Sequence, residues 1–265
     1  MAMFIVFAAR SFNRSAWGMC IYFMTFFAIP VGWWWGQGIL TSITGRWSLL
    51  SAVIFAAAVG MNSGFQLNRL DAASQRVFRL LFLYAINATL VHFAFASNPT
   101  KSYNGLTLLW KFLILAFLLN LAIQKFDDLK LFLLAIVGGA AYVAYEIIIN
   151  DRGGFEKGRL EGIFIPGAGE SNYLAGLMSM CIPLAAYFLF FGKWKGRLFA
   201  LIAVPLIFDV VLRCNSRGAF LALPAGGARL YLASTGRSRK FANYGIILAC
   251  LAIAYQAKDP EIHER

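Results

Sequence analysis

Apolar residues fall in long runs along this chain, with short polar breaks between them. The runs cover 16–35, 47–61, 77–96, 106–123, 131–149, 173–191, 198–212, 220–233 and 244–257. Several reach the roughly 20 residues that a helix needs to cross a hydrocarbon core. An open strand cannot satisfy its backbone in lipid, so each run is predicted as a helix. The pattern predicts an all-α polytopic membrane protein with about nine transmembrane helices, a single transmembrane domain over 1–265. The first run ends in Trp33, Trp34 and Trp35, a cluster typical of the membrane–water boundary. The 220–233 run is short and carries Pro224 with Gly226 and Gly227, and the 244–257 run is also short. Residues 1–9 are apolar but too few to span. They read as an interfacial helix or the remnant of a truncated span. A cleaved signal peptide would have basic residues before its apolar run, whereas Arg10 and Arg14 come after this one.

The longest polar break is 150–172, NDRGGFEKGRLEGIFIPGAGESN. It holds Asp151, Arg152, Glu156, Lys157, Arg159, Glu161 and Glu170, and glycine and proline prevent it from being one regular helix. A long loop with its own charge pattern is more often functional than idle.

Composition supports the membrane reading. The chain is 60% hydrophobic and 14% charged, against about 25% charged in a soluble domain. The net charge of +12 could suggest nucleic acid, but in a membrane protein it reflects basic cytoplasmic loops. With the N-terminus cytoplasmic, the inside segments carry 13 basic and three acidic residues, and the outside segments nine basic and seven acidic. That asymmetry places residues 1–15 on the cytoplasmic side or at its interface. It places the 150–172 loop and the C-terminus, 258–265, on the periplasmic side. Cys20, Cys181, Cys214 and Cys250 lie far apart in or beside apolar runs, so neither a disulfide framework nor a metal site is indicated.

Four charged residues fall inside the runs: Lys111, Glu146, Asp209 and Arg229. Such residues are costly in lipid and face a partner or a wet cavity. Arg229 sits toward the inner side, where snorkelling explains it. Lys111, Glu146, Asp209 and His92 gather near the outer ends of their runs. They suggest a polar cavity beneath loops that bring Arg159, Arg213 and Arg217. The plainer reading is helix ends grazing the interface, with a Lys111–Glu146 or Lys111–Asp209 pair. Arginine suits a diphosphate because its planar fork bonds two oxygens at once. No phosphate-binding glycine–lysine loop, HExxH, GxSxG or metal-ligand cluster occurs.

Two motifs carry a family resemblance. GRLEGIFIPGAGESNYLAGLMSMCIPLAAYFLF resembles the core of the bacterial O-antigen ligase-like family, with matches at Arg159, Gly162, Asn172, Ala175, Pro183 and Leu184. CNSRGAFLAL looks like that family's Ser-Arg-Gly-Ala signature, here Ser216, Arg217, Gly218 and Ala219. Lys111 resembles a lysine that the family keeps in a span. The likeness is clearest from 158 to 223 and patchy from 16 to 149.

The resemblance implies an inner-membrane, multi-pass glycosyltransferase: an O-antigen ligase, an O-antigen polymerase or a protein O-oligosaccharyltransferase. It would move a glycan from undecaprenyl pyrophosphate to an acceptor lipid, sugar or protein hydroxyl, inverting and without metal or cofactor. Membrane lipid, and no nucleic acid, would be its surroundings. Arg159 and Arg217 would bind the diphosphate, with Lys111 as a supporting cation and Asn172, Ser216 and Gly162 in support. Residues 151–157 would be solvated linker. The family's base is a histidine in a large periplasmic loop. Here only His92 and His263 occur, and the chain reads as truncated before that loop, with 258–265 its start. The alternatives are a non-catalytic remnant or assembly subunit of a polysaccharide system, or a small multi-pass transporter.

Overall fold

Two helix starts are set by capping residues that lie upstream of the apolar runs. In the computed structural model, which describes residues 2–28, 47–65, 71–233, 239 and 243, the chain divides into two compact units, Met1–Ile136 and Val137–Arg265. The Trp33–Trp35 cluster, the 244–257 run and the tail with His263 lie outside the described residues.

The first unit holds α1 (Ala2–Ser11), α2 (Ala16–Phe27), α3 (Trp47–Ser63), α4 (Ala72–Phe95), α5 (Pro99–Ala122) and the first part of α6 (Phe126–Ile149). The α4 helix starts where Asp71 accepts hydrogen bonds from the amides of Ala73 and Ser74. The α5 helix starts where Asn98 accepts from Lys101, with Pro99 in the first turn. These caps satisfy donors that the helix itself leaves open. Hydropathy alone starts the same two elements at 77 and 106, because their first turns are polar. The α1 helix folds back along α2. The Phe7 ring lies 5.1 Å from Trp17, and Phe4 meets Trp47 edge-on at 5.4 Å. A larger core joins Ala16 and Met19 of α2, Phe55 and Val59 of α3, Phe78 of α4, and Leu118 and Leu121 of α5. Between α2 and α3 the buried hydroxyls of Thr25 and Ser51 are 2.7 Å apart. Such bonds between membrane helices contribute about 0.6 kcal/mol on average.

The second unit holds the rest of α6, then β1 (Gly154–Glu156), β2 (Arg159–Glu161), α7 (Ser171–Phe191), α8 (Trp194–Arg213) and α9 (Arg217–Ala233). The α7 and α8 helices pack extensively, and α9 packs on α7. Alanines (Ala175, Ala185, Ala200, Ala203) line their buried faces, which lets backbones approach closely. Pro183, Pro205 and Pro224 each lie inside one of these helices.

Among the described residues, α4, α5, α6 and α7 are long and apolar enough to cross a membrane, and α2 and α3 are shorter apolar helices. The chain is an all-α membrane protein with one small exception. The 150–172 segment contains an antiparallel hairpin pairing Gly154 with Glu161, Phe155 with Leu160 and Glu156 with Arg159. Its two-residue turn has Lys157 at φ 50° and Gly158 at φ 73°, the left-handed pair that a type I′ turn requires.

Candidate functional site

The segment that leads into α7 is built, not slack. At the end of α6, Asp151 takes a left-handed φ of 52°, and the Arg152 amide donates to the Glu146 carbonyl at 3.2 Å. That bond, six residues back, turns the chain over the end of the helix. The Glu146 side chain is buried, and its Oε2 accepts from Asn150 Nδ2 at 2.9 Å. The hairpin follows, with Leu160 buried beneath it and β2 resting on α7 and α8. Gly162, at φ 75°, donates its amide to the Gly169 carbonyl at 3.2 Å and closes a compact loop. Ile163, Ile165 and Ala168 are buried inside that loop. Ser171 Oγ donates to Glu161 Oε1 at 3.4 Å, tying the hairpin to the first turn of α7.

The matched residues cluster by topology. The α7 and α8 helices are joined by a two-residue link, and α8 and α9 by a three-residue one. The α7 and α8 helices pack along each other across their short link, so α8 ends near the start of α7, and α9 begins at that same end of the unit. Asn172 is exposed in the first turn of α7. Ser216 is buried just before α9, and Arg217 is exposed as its first residue. Arg159 is half-buried on β2 beside the turn. Among the described residues neither Arg159 nor Arg217 makes an ion pair. A helix N-terminus presents unpaired N–H groups and a partial positive charge, so an arginine there adds to an electrostatically favourable place for an anion.

The structure also adds residues that the sequence left aside. A cavity of about 300 Å³ is lined by Ile147, Asp151, Arg152, Phe155, Leu160 and Arg213. Asp151 and Arg152, expected to be solvated linker, form part of its wall because left-handed Asp151 and the Arg152–Glu146 backbone bond turn the chain back at that point. Left-handed Asp151 before glycine-rich sequence was the signal available for this turn. Arg213 Nε donates to Asp209 Oδ2 at 2.6 Å, one helical turn back.

Other sequence expectations fare differently. The carboxylate of Glu146 is paired with Asn150, and that of Asp209 with Arg213, in place of the expected lysine pairs. Each carboxylate is met by a partner four residues away on its own segment. Lys111 belongs to the first unit and is exposed midway along α5. His92 Nδ1 lies 2.9 Å from Ser102 Oγ, and its ring packs on Phe93 and Tyr103, so it joins the end of α4 to the start of α5. Cys20, Cys181 and Cys214 are buried free thiols, and burial pushes the Cys214 thiol up to about 12.

No family model matches the chain, and no curated protein or solved structure matches it either.

Proposed function

We propose that this chain is the transmembrane core of an O-antigen ligase-like glycosyltransferase that binds undecaprenyl pyrophosphate bearing a glycan. It is a multi-pass inner-membrane protein of about nine spans, with a cytoplasmic N-terminus and the 150–172 segment on the periplasmic side. The observation that supports this most is the gathering of Arg159, Arg217 and Asn172 at one end of the second unit, beside the N-termini of α7 and α9. Diphosphate is a leaving group whose developing charge needs fixed cations, and charge-assisted bonds to arginine supply them. Arg152 and Arg213 share a neighbouring cavity with Asp151, and Arg213 is paired with Asp209.

A second reading is an assembly subunit that binds the lipid diphosphate without transferring glycan. It is favoured by His92, which is engaged between α4 and α5 in the first unit and leaves no histidine among the described residues of the second.

The test reconstitutes the purified chain in vesicles and measures binding of undecaprenyl-pyrophosphate glycan and its transfer to acceptor. Arg159→Ala and Arg217→Ala are each expected to weaken binding about tenfold or more, the loss of a charge-assisted bond. Lys195→Ala, at the α7–α8 link, should leave binding unchanged. Binding or transfer that survives both arginine substitutions would overturn the assignment. Binding without transfer would select the assembly reading.

A further inference from the structure

A second polar cavity, of about 280 Å³, lies in the first unit and plays no part in the site above. Its walls include Asn13, Arg14, Asn62, Gln124, Lys125 and Asp128. Each belongs to a helix end: the α1–α2 turn, the last turn of α3, the α5–α6 link and the first turn of α6. The α5 and α6 helices are both long and apolar enough to cross a membrane. The cavity therefore sits where the chain leaves the hydrocarbon layer.

Its charged side chains, Arg14, Lys125 and Asp128, sum to +1. Asp128 is only 5% exposed, and donors engage both of its oxygens. Oδ1 accepts from Arg14 Nε at 2.6 Å and also meets a second Arg14 nitrogen at 2.5 Å. Oδ2 accepts from the amides of Gln124 and Lys125, at 3.2 and 2.9 Å. The carboxylate thus orients Arg14 and offsets its charge, which leaves Lys125 as the cation in excess. A guanidinium has five N–H groups, so Arg14 retains three, and its side chain is 45% exposed. Lys125 is exposed, and its side chain makes no ion pair among the described residues. Large apolar side chains stand exposed beside the lining residues: Phe12 next to Asn13, Met61 next to Asn62, and Phe126 next to Lys125.

We propose that this cavity holds the phosphate of an acidic phospholipid, with Arg14 and Lys125 donating to its oxygens and the exposed apolar side chains meeting its acyl chains. Basic pockets between membrane helices suit anionic headgroups. A free phosphate would use the cations and leave the apolar rim wet, whereas a phospholipid satisfies both. A zwitterionic lipid would bring an ammonium toward Lys125.

Native mass spectrometry of the full chain, extracted from vesicles of equimolar phosphatidylglycerol and phosphatidylcholine, reads out which lipid stays bound. Phosphatidylglycerol is expected to be retained in preference. Lys125→Gln should reduce that preference about fivefold. Lys125 holds Asp128 through its backbone amide, so this variant keeps the Arg14–Asp128 contact. Lys125→Arg should keep the preference, as should Lys193→Gln, an equal change of charge at another site. Equal retention of the two lipids, an unchanged preference in Lys125→Gln, or complete displacement of lipid by excess inorganic phosphate would each overturn the proposal.

Discussion

Asp128 shows how one side chain can hold several segments. It anchors Arg14 from the α1–α2 turn and caps the start of α6 through the amides of Gln124 and Lys125. Asp128→Ala leaves these donors unpaired. Breaking one side of a buried ion pair costs about 3–5 kcal/mol, and water recovers part of that at half-exposed Arg14, so a loss of about 2–3 kcal/mol is expected. Equilibrium unfolding in mixed micelles measures it, and a loss below about 0.5 kcal/mol, the range of a neutral surface change, would contradict the role. Asp71 makes the opposite case, a fully exposed carboxylate. The Ser74 side chain, and then the Ser74 amide, hold its carboxyl below the ordinary value of 3.8. A depressed folded-state value means that the cap contributes above pH 3.8 and is lost as pH falls through the lower folded value. Protection of the Ala73 and Ser74 amides, measured against their intrinsic exchange rates, should therefore fall on acidification below pH 3.8 in the wild type. In Asp71→Asn, which still caps but does not titrate, that acid-dependent step should disappear.

Two glycines separate backbone strain from steric fit in the segment before α7. Both take a left-handed φ, 91° at Gly153 and 75° at Gly162, so alanine is strained at either. A β-carbon at Gly153 would also sit 2.6 Å from Ile163 Cδ1 and 3.0 Å from the Glu161 carbonyl, whereas one at Gly162 meets open space. Gly153→Ala should thus cost about 2–3 kcal/mol and Gly162→Ala about 1 kcal/mol. Protease sensitivity of the hairpin, read by cleavage near Lys157, would rank them, and equal sensitivity would refute the distinction. The same segment marks what the sequence could and could not reveal. The helices α4 to α7 were visible as apolar runs because lipid demands continuous apolar surface. Their first turns were hidden because Asp71 and Asn98 start helices through polar caps that hydropathy counts against a span. The hairpin was hidden because its strands are three residues long and its turn uses Lys157 before Gly158, a weaker signal than Asn-Gly. Arg159, Asn172 and Arg217 were legible through their motifs, whereas Arg152 and Arg213 share a cavity only because a helix cap and a helix end converge there.

The way chain segments meet bears on how the chain crosses the membrane. A helix that crosses moves the next break to the opposite face, so breaks separated by two crossings share a face. In the first unit the α1–α2 turn, the end of α3 and the α5–α6 link line one cavity, and each is separated from the next by two helices. In the second unit the segment before α7 and the end of α8 line another cavity, again two helices apart. Both patterns are what successive crossings by α2 to α5, and by α7 and α8, would produce. Single-cysteine variants in a background lacking the four native cysteines provide the check, with an impermeant maleimide added to sealed vesicles of known orientation. Asn13→Cys and Gln124→Cys should react from the same side, and Ser97→Cys from the other. Arg152→Cys and Asn215→Cys should likewise share a side, opposite to Lys195→Cys. The excess of basic residues assigns Lys195 to the cytoplasmic face. If Lys195→Cys reacts from the same side as Arg152→Cys, α7 does not cross, and the proposed periplasmic diphosphate site loses its topological basis. If the pairs segregate as expected but Lys195→Cys reacts from the periplasmic face, the crossings stand while the charge-based orientation is reversed. The arginine cluster would then face the compartment that holds nucleotide sugars, a different chemistry from the one proposed.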